Sequence, residues 1–535
     1  MKPDKNTLLK LSPQSYWIDS TKNMLNKYPP LAENIKTDVA IVGGGIAGIT
    51  CAYLLGKEGL SVTVLEADRI AQGTTGHTTA KITSQHNLIY HKLIKEMGVE
   101  RAKQYAEANE TAIKEIKALT ESLKIDCDFI DGQSAYLFAE SDGFVQAVQE
   151  EADAAVKLGI GAFYLDSIPL PLTVKGTVRF DGQAQFHPLK YILALAKAFT
   201  DGGGKIYEKT RVTEVDREGC LSLTTESGNT IVADKVIIAS HYPLWNKHGM
   251  YFTRLYQERS YCLAVKIAEQ YPGGMYLNVE DPARSLRSQK TPEEELILVG
   301  GAQHKAGQCE DTWKKYEELF DFAKSYFTVT DMPYRWSAQD CMTLDGVPYV
   351  GKYAEDIPNL YIATGFGKWG MTNSMASAML LRDLIVSEDS PWKDVYNPSR
   401  GTNTSSAITF VTENFNVAKN LIGGKLKSND DGKEIDLQVG EALADGIGDV
   451  EQHVLEVVQP LQQVVQRGGV VALAAVGVVR RLDVPVQAEQ RAATLGHLGH
   501  DVAVLLFHVL VQLVLRHQVA LFGGVHDRRQ LRRGE

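Results

Sequence analysis

The stretch Asp38-Val39-Ala40-Ile41-Val42-Gly43-Gly44-Gly45-Ile46-Ala47-Gly48 decides the fold of this chain. An apolar run followed by closely spaced glycines predicts a buried strand, a tight turn and a helix. In this pattern Gly43 permits the turn, Gly45 lets the backbone approach a pyrophosphate, and Gly48 lets the helix pack on the strand. A helix N-terminus has free N–H groups and the positive end of the helix dipole, so the phosphates would bind there. The stretch therefore predicts a dinucleotide-binding site.

A carboxylate follows at the spacing that such a site needs. Residues 61–65 predict a second strand, and Glu66 comes directly after it, 18 residues beyond Gly48. At about this distance an acidic residue accepts hydrogen bonds from the adenosine ribose hydroxyls. The strand, the helix and the acid together favour dinucleotide binding over an ordinary glycine-rich turn between a strand and a helix.

The sequence favours FAD over NAD as the dinucleotide. The segment 67–81, Ala-Asp-Arg-Ile-Ala-Gln-Gly-Thr-Thr-Gly-His-Thr-Thr-Ala-Lys, is small and rich in hydroxyl groups, which suits contact with a flavin diphosphate and ring edge. No second glycine fingerprint and no close cysteine pair follow, as they would in flavin-dependent disulfide reductases. Electrons are therefore expected to come from a bound organic substrate and not from NAD(P)H.

Beyond these motifs the chain resembles a family, the FAD-dependent amine and amino-acid oxidoreductases of the D-amino-acid oxidase, glycine oxidase and sarcosine oxidase type. The resemblance covers about residues 14–390 and is nearest to a bacterial branch that carries a C-terminal Rieske iron–sulfur domain. The segments that carry it are Phe180-Asp181-Gly182-Gln183-Ala184-Gln185-Phe186-His187-Pro188, residues 206–215 and 233–240, Asp345-Gly346-Val347-Pro348-Tyr349-Val350-Gly351, and residues 360–371.

The resemblance implies an α/β fold, in which an FAD-binding Rossmann-like domain of the glutathione-reductase type is interleaved with a mixed-sheet α+β substrate domain. The expected cofactor domain comprises residues 37–90, 180–240 and 330–390, and the substrate domain residues 91–179 and 241–329. Residues 1–36 are expected to form an N-terminal arm. The expected FAD-binding residues are Gly43, Gly45, Ile46, Ala47, Gly48, Glu66, Ala67, Gly73, Thr74, Thr75, His77, Thr79, Ala80, Val212, Gly365, Gly367, Lys368, Trp369, Gly370 and Met371.

The composition limits the partners and the compartment. The net charge of −10 argues against nucleic acid and anionic membranes as main partners. Six scattered cysteines indicate free thiols in a reducing cytoplasm. No apolar signal segment is present at the N-terminus, and no apolar stretch reaches the roughly 18 residues of a membrane span.

The C-terminal part of the chain is unusual. Residues 391–447 have the composition of a linker. In residues 448–535, only Thr494, Phe507 and Phe522 fall outside ten residue types, all of which have codons that begin with G or C. We therefore predict that this tail is a frame or assembly artefact and not a native fold. A Rieske domain would need cysteine and histidine ligands for its [2Fe-2S] cluster. No cysteine follows Cys341, so these ligands are absent here; the pair His497 and His500 does not complete a metal site, and no metal is expected.

Oxidation of an amine needs orientation and electrostatics more than acid–base groups. The resemblance implies that the neutral amine gives a hydride from its alpha carbon to flavin N5, and that water hydrolyses the imine. Lys368 and the helix that begins near Met371 are candidates to stabilise negative charge near flavin N1, although Lys368 also fits a solvated loop. A carboxylate on the substrate needs a fork-shaped cation, for which the candidates are Arg284 and Arg287. Further pocket candidates are Tyr261, Tyr256 and Arg259.

His77 is the residue for which the sequence suggests the most specific role, a covalent bond to the flavin. The segment 73–80 resembles one in dimethylglycine-oxidising relatives that holds a histidine bonded covalently to the flavin, although Gly76 stands here where the relatives have an aromatic residue. The alternatives are a hydrogen-bonding or a structural histidine. Cys341 is a second, weaker candidate for a flavin link and is more typical of a buried thiol. His187 is typical of a helix N-terminus, and His241 and Tyr242 receive no role.

Three functions are compatible with the sequence. The first is oxidation of a small amine or amino acid, with oxygen or a redox partner as the electron acceptor. The second is a flavin electron-transfer component that works with a Rieske-type iron–sulfur partner. An NAD-dependent dehydrogenase is the third, and the segment at residues 360–371 disfavours it.

Overall fold

The computed structural model describes residues 13–400 except 218–219, 246–248 and 310, together with 401, 409 and 413. The first compact unit ends at Arg400, and the fold below is that of its described residues. The tail predicted at residues 448–535 lies outside the described residues, as does nearly all of the predicted linker beyond residue 400.

Nine α-helices are assigned in the described part of this unit. They are α1 (Tyr16–Thr21), α2 (Ile46–Lys57), α3 (Tyr90–Met97), α4 (Val99–Ser122), α5 (Val145–Lys157), α6 (Pro188–Asp201), α7 (Thr312–Tyr326), α8 (Gly370–Val386) and α9 (Lys393–Tyr396). Three short 3-10 helices span Thr74–His77, Asp142–Phe144 and Tyr251–Thr253.

The strands form two sheets. They are β1 (Ile35–Val42), β2 (Val62–Leu65), β3 (Lys81–Ile82), β4 (Ile130–Ala139), β5 (Ala162–Leu165), β6 (Gly176–Gln185), β7 (Lys205–Tyr207), β8 (Val212–Asp216), β9 (Leu221–Thr225), β10 (Thr230–Ile238), β11 (Leu255–Ile267), β12 (Met275–Asn278), β13 (Arg284–Lys290), β14 (Glu295–Lys305), β15 (Val329–Thr343), β16 (Tyr349–Lys352) and β17 (Leu360–Thr364).

The eight-stranded sheet has a parallel centre. Its order is β16-β17-β10-β1-β2-β7, with β9 paired to β10 and β8 to β9. Strands β17, β10, β1, β2 and β7 are parallel, and the residues of β2 and β17 are all buried. Such continuous apolar strands are typical of parallel sheets that helices cover on their faces. Helix α2 packs between this sheet and helices α6 and α8. The predicted α/β dinucleotide-binding fold is confirmed.

The nine-stranded sheet is mixed, as the sequence predicts. Its order is β15-β11-β14-β13-β12-β4-β6-β3, with β5 paired to β6. Strands β4 and β12 are parallel, and the other pairs are antiparallel.

Within the described residues, no helix is both long enough and apolar enough to cross a lipid bilayer.

The sheets divide the chain differently from the domain boundaries expected from sequence. Residues 180–185 and 330–343 were grouped with the cofactor domain, whereas β6 and β15 lie in the nine-stranded sheet. The residue pattern of a strand does not specify its partner strand, so it could not assign these segments to a sheet.

The N-terminal arm contains helix α1, whose Trp17 is fully buried and donates a hydrogen bond to the carbonyl of Thr78 at 2.8 Å.

A buried ion pair holds the end of this unit against the segment that follows β15. The Arg400 guanidinium makes a two-point contact with Asp345, at 2.8 and 2.9 Å, and lies 4.1 Å from the centre of the Tyr349 ring. The side chains of Arg400 and Asp345 are 2% and 6% exposed. Burial raises the pKa of Asp345, but the charge and hydrogen bonds of Arg400 outweigh it and hold this pKa below its usual value.

Replacing Arg400 with methionine should leave a buried carboxylate without its partner. We expect Arg400→Met to lower the free energy of unfolding by about 3–5 kcal/mol at neutral pH. Because the folded pKa of Asp345 lies below the unfolded one, the pair stabilises the fold above about pH 4 and loses its effect as the pH falls further. The loss in Arg400→Met should therefore shrink on acidification.

Chemical denaturation at several pH values measures both effects. The matched control is Lys197→Met, which breaks the exposed pair between Lys197 and Asp201 and should cost less than about 1 kcal/mol. An equal loss of unfolding free energy in Arg400→Met and Lys197→Met would show that the buried pair stabilises the fold no more than an exposed pair does.

Candidate cofactor and substrate cavity

The glycines of the first turn allow a contact between helix and strand that no side chain would tolerate. A Cβ on Gly48 would lie 1.9 Å from the carbonyl oxygen of Gly43. Gly43 itself has a φ of +112°, and a Cβ there would lie 2.5 Å from the carbonyl oxygen of Ala239. Gly45 is the N-cap of α2, and the nearest atom to its Cβ position is Thr75 Oγ1 at 3.4 Å. The helix N-terminus therefore lies directly against the ends of β1 and β10.

Glu66 is fixed at the edge of this turn by two backbone N–H groups. Gly44 donates to one carboxylate oxygen at 2.7 Å, and Asp68 donates to the other at 2.8 Å. Burial raises the pKa of Glu66, and the hydrogen bond from Gly44 and the charge of Arg211 oppose this rise. The carboxylate is thus oriented beside the helix N-terminus, where the sequence predicts a ribose contact.

A cavity of about 560 Å³ extends from this turn to the nine-stranded sheet. Its volume falls within the range of small-molecule and cofactor sites. The residues predicted from sequence that line it are Gly43, Gly45, Ile46, Ala47, Glu66, Ala67, Gly73, Thr74, Thr75, His77, Thr79, Val212, Tyr261, Gly367, Lys368, Trp369, Gly370 and Met371. The predicted residues outside its lining are Gly48, Ala80, Gly365, Arg284, Arg287, Tyr256 and Arg259.

Lys368 is held by two carboxylates. Its Nζ lies 3.0 Å from Asp340 and 3.0 Å from Glu258, and it donates to the Ser260 hydroxyl at 3.0 Å. Burial lowers the pKa of Lys368, but Asp340 and Glu258 outweigh it and raise this pKa. Lys368 is thus a partly solvated lysine that pairs with two carboxylates in a cluster whose formal charge is −1.

The two arginines predicted to bind a substrate carboxylate have other partners. Arg284 contacts Glu318 at 3.5 Å. Arg287 is fully buried, donates to the carbonyl of Ala80 at 2.7 Å, and lies 5.4 Å from the Trp17 ring centre. Burial lowers the pKa of Arg287 to about 9. Both arginines lie in strand β13, and a sequence does not show in which direction the side chains of a strand turn, so it could not exclude these contacts.

His77 lies in the cavity lining with one ring nitrogen engaged. Its Nδ1 lies 2.8 Å from the carbonyl oxygen of Gly73, so Nδ1 carries the proton and Nε2 is the nitrogen left for another contact. A Cβ on Gly76 would lie 2.8 Å from the carbonyl oxygen of Ala71 and 3.1 Å from Ile18 Cδ1. The aromatic residue of the relatives at this position therefore does not fit in this chain.

Sequence reasoning missed three polar groups in the lining. The Nε2 of His241 and the hydroxyl of Ser374 are buried and have no hydrogen-bond partner in the described structure. Buried polar atoms are normally hydrogen-bonded, so these two fit a bound group with polar atoms, as a dinucleotide has. The third is Lys81, which the sequence shows only as the end of the hydroxyl-rich segment. His241 has a backbone φ of +67°, and no residue pattern in the sequence indicated this conformation.

Other candidates have structural roles or lie elsewhere. Cys341 is buried 3.8 Å from the Thr364 hydroxyl and does not line the cavity. His187 is the N-cap of α6, where its Nδ1 accepts a hydrogen bond from the Lys190 N–H. Arg259 lines a smaller cavity that Tyr261 also borders. Within residues 13–400 as described, no group of three or more His, Cys, Asp or Glu side chains could hold a metal.

Comparisons with known proteins agree with this geometry. Residues 38–384 match the family model of FAD dependent oxidoreductases, DAO. The chain is 40% identical over 435 residues to the putative Rieske 2Fe-2S iron-sulfur protein YhfW of Bacillus subtilis (strain 168), covering 81% of this chain and 85% of that protein. It is 24% identical over 388 residues to the gamma-glutamylputrescine oxidoreductase of Escherichia coli (strain K12), covering 67% of this chain and 87% of that protein.

Among solved structures, glycine oxidase from Geobacillus kaustophilus superposes with a TM-score of 0.59 at 19% identity. The match covers 69% of this chain and 99% of the glycine oxidase, and it shows a shared fold. The glycine turn, the oriented Glu66 and the cavity thus occur within the matched residues 38–384, and the chain belongs to the DAO family of FAD-dependent oxidoreductases.

Proposed function

We propose that this chain oxidises a small amine or amino acid with FAD bound in the cavity. One observation carries the proposal: a single cavity joins the glycine turn and Glu66 to polar side chains of the nine-stranded sheet. A cofactor held at the first end and a substrate held at the second would therefore meet. The names of two similar proteins, a glycine oxidase and a gamma-glutamylputrescine oxidoreductase, support an amine or amino acid as the substrate class.

The residues present fit FAD. The N-terminus of α2 would face the phosphates, and Glu66 would accept the ribose hydrogen bonds. Helix α8 begins at Gly370 in the cavity lining, and the positive end of its dipole would favour negative charge there. When bound, FAD supplies an acceptor for the hydride that leaves the substrate's alpha carbon.

The charges near the nine-stranded sheet favour an amine. Lys368 is compensated by Asp340 and Glu258, so this cluster carries one excess negative charge. An opposite charge within about 4–6 Å stabilises a charged group, so the cluster favours an incoming ammonium. With Arg284 and Arg287 outside the lining, the cavity holds neither arginine that was predicted to bind a carboxylate.

Anaerobic mixing of the FAD-loaded protein with glycine, sarcosine, proline and simple diamines tests the proposal. At least one of these compounds should bleach the visible flavin absorbance, and peroxide released in air would show that oxygen accepts the electrons. If none of them bleaches the flavin, the proposed substrate class is wrong.

The second candidate function is an electron-transfer component with a Rieske-type partner. It is favoured by the name of the Bacillus relative, a putative Rieske 2Fe-2S iron-sulfur protein. In this case a separate reduced iron–sulfur protein, and not an amine, should reduce the flavin.

Removing the Glu66 carboxylate should weaken FAD binding. We expect Glu66→Ala to lower FAD affinity at least tenfold, which corresponds to about 1.4 kcal/mol, because both the ribose acceptor and the hydrogen bond to Gly44 are lost. Titration of the apoprotein with FAD measures the affinity. Glu58→Ala, at an exposed position after α2, is the control. Equal affinities in the two variants would remove Glu66 from the cofactor site.

We propose that His77 contacts the flavin through Nε2. His77→Ala should then shift the visible flavin spectrum and lower FAD affinity, whereas His91→Ala, an exposed histidine on α3, should do neither. Acid precipitation identifies the contact: flavin retained in the wild-type pellet indicates a covalent bond, and flavin released from it indicates a hydrogen bond. Identical spectra and affinities in His77→Ala and His91→Ala would contradict any contact.

A further inference from the structure

Lys81 lies on a short strand of the nine-stranded sheet and lines the cavity. It begins β3, where its backbone pairs with Gln185 of β6, and its side chain lines the cavity. Thr79, two residues earlier, also lines the cavity, and its methyl group lies 3.3 Å from the Cβ position of Gly300 on β14. Lys81 is therefore held by a strand of the nine-stranded sheet and reaches the space shared with the residues of the cofactor crevice.

Its environment is the opposite of that of Lys368. In the described structure the Lys81 ammonium has no hydrogen bond and no ion pair, whereas Lys368 has two carboxylates. Two ionisable groups on other strands of the nine-stranded sheet act on Lys81: Arg287 on β13, which repels a positive charge, and the thiol of Cys262 on β11. The β6 residue at the same register, Gln185, is uncharged.

These surroundings favour the uncharged form of Lys81. Lys81 keeps part of its surface accessible, but the protein around it is dense, and burial followed by the charge of Arg287 lowers the pKa of Lys81 to about 7. A lysine in water has a pKa of about 10.4. At neutral pH roughly half of the Lys81 side chains would therefore carry a free lone pair, whereas Lys368 would remain charged.

We propose that the ε-amino group of Lys81 is the proton acceptor that converts the bound substrate ammonium into the oxidisable amine. The inference rests on the proposed function, because the substrate must be an amine. The N–H bond of the substrate breaks, an N–H bond forms on Lys81, and the substrate nitrogen keeps the electron pair. No oxidant is consumed in this step, and Lys81 returns its proton to water.

The excess negative charge of the Lys368 cluster complements this role. Amines enter mainly as ammonium ions near neutral pH, and this charge favours them. A general base works best when its pKa is near the working pH, because it is then both unprotonated and able to take the proton. The two carboxylates beside Lys368 thus attract the substrate ammonium, and the second lysine, Lys81, can deprotonate it.

A different role for Lys81 would be a fixed positive charge that binds a substrate carboxylate. The two roles predict different behaviour for Lys81→Arg. Arginine keeps the positive charge but does not release its proton at neutral pH. A proton acceptor is lost in this variant as fully as in Lys81→Met, whereas a charge anchor is largely retained.

The first test needs no substrate. Reductive methylation of the FAD-loaded protein with isotope-labelled formaldehyde, followed by digestion and mass spectrometry, measures the reactivity of Lys81 against pH. We expect Lys81 to reach half of its maximal reactivity near pH 7, well below the value of about 10.4 that is ordinary for a lysine in water, and exposed Lys157 serves as the comparison within the same sample. A midpoint equal to that of Lys157 overturns the proposal whatever the substrate is.

The second test is the pH dependence of anaerobic flavin reduction by an amine that bleaches the wild-type flavin. In the wild type the rate should rise with pH and level off above about pH 7. In Lys81→Met and Lys81→Arg it should be roughly 100-fold lower at pH 7 and should rise towards the ammonium's own pKa, about 10 for an alkylamine. A small added amine such as methylamine should restore part of the rate in Lys81→Met.

The control Lys157→Met should keep the wild-type profile, and equal flavin spectra and thermal midpoints should confirm that all variants fold. A wild-type profile in Lys81→Met, or a rate retained in Lys81→Arg, overturns the proposal. Failure of the proposed function has a different signature: no amine reduces the wild-type flavin, although Lys81 still titrates near pH 7. In that case Lys81 is an unprotonated lysine without an ammonium to act on, and its role as a proton acceptor is also rejected.

Discussion

The close contact between Gly48 and the carbonyl of Gly43 is the constraint on which the rest of the site depends. It brings the N-terminus of α2 against the ends of β1 and β10, where any side chain would force the helix away. Because of this contact, the backbone N–H of Gly44 can reach Glu66, and the cavity begins at a helix N-terminus. The positions proposed for the phosphates and the ribose, and the point where the cavity begins, therefore depend on the missing side chains of Gly43 and Gly48.

The substrate end is organised by charge, and its two lysines are in opposite states. Lys368 lies between Asp340 and Glu258 and stays charged, while Lys81 faces Arg287 and has no carboxylate. Burial penalises the charge of both lysines, so the presence or absence of carboxylates decides the outcome. This contrast separates electrostatic attraction of an amine from its deprotonation within one cavity.

The sequence predicted what local chemistry determines and missed what depends on tertiary contacts. The glycine turn and Glu66 are local patterns whose spacing has a direct physical reason, and the structure places them around one cavity together with residues 367–371, which the family resemblance implied. The contacts of Arg287 could not be foreseen because its partners, such as the Ala80 carbonyl, come from distant parts of the chain. The isolation of Lys81 was missed for the same reason, because the absence of a partner cannot be read from neighbouring residues.

The central claim is that this cavity binds FAD with its phosphates at the N-terminus of α2. A crystal structure of the protein reconstituted with FAD tests it most directly. The account predicts yellow crystals, with the pyrophosphate density against Gly45 and Ile46, the ribose within hydrogen-bond distance of Glu66, and the flavin ring extending towards Lys368 and Lys81. Colourless crystals, or FAD density bound away from the glycine turn, would contradict it.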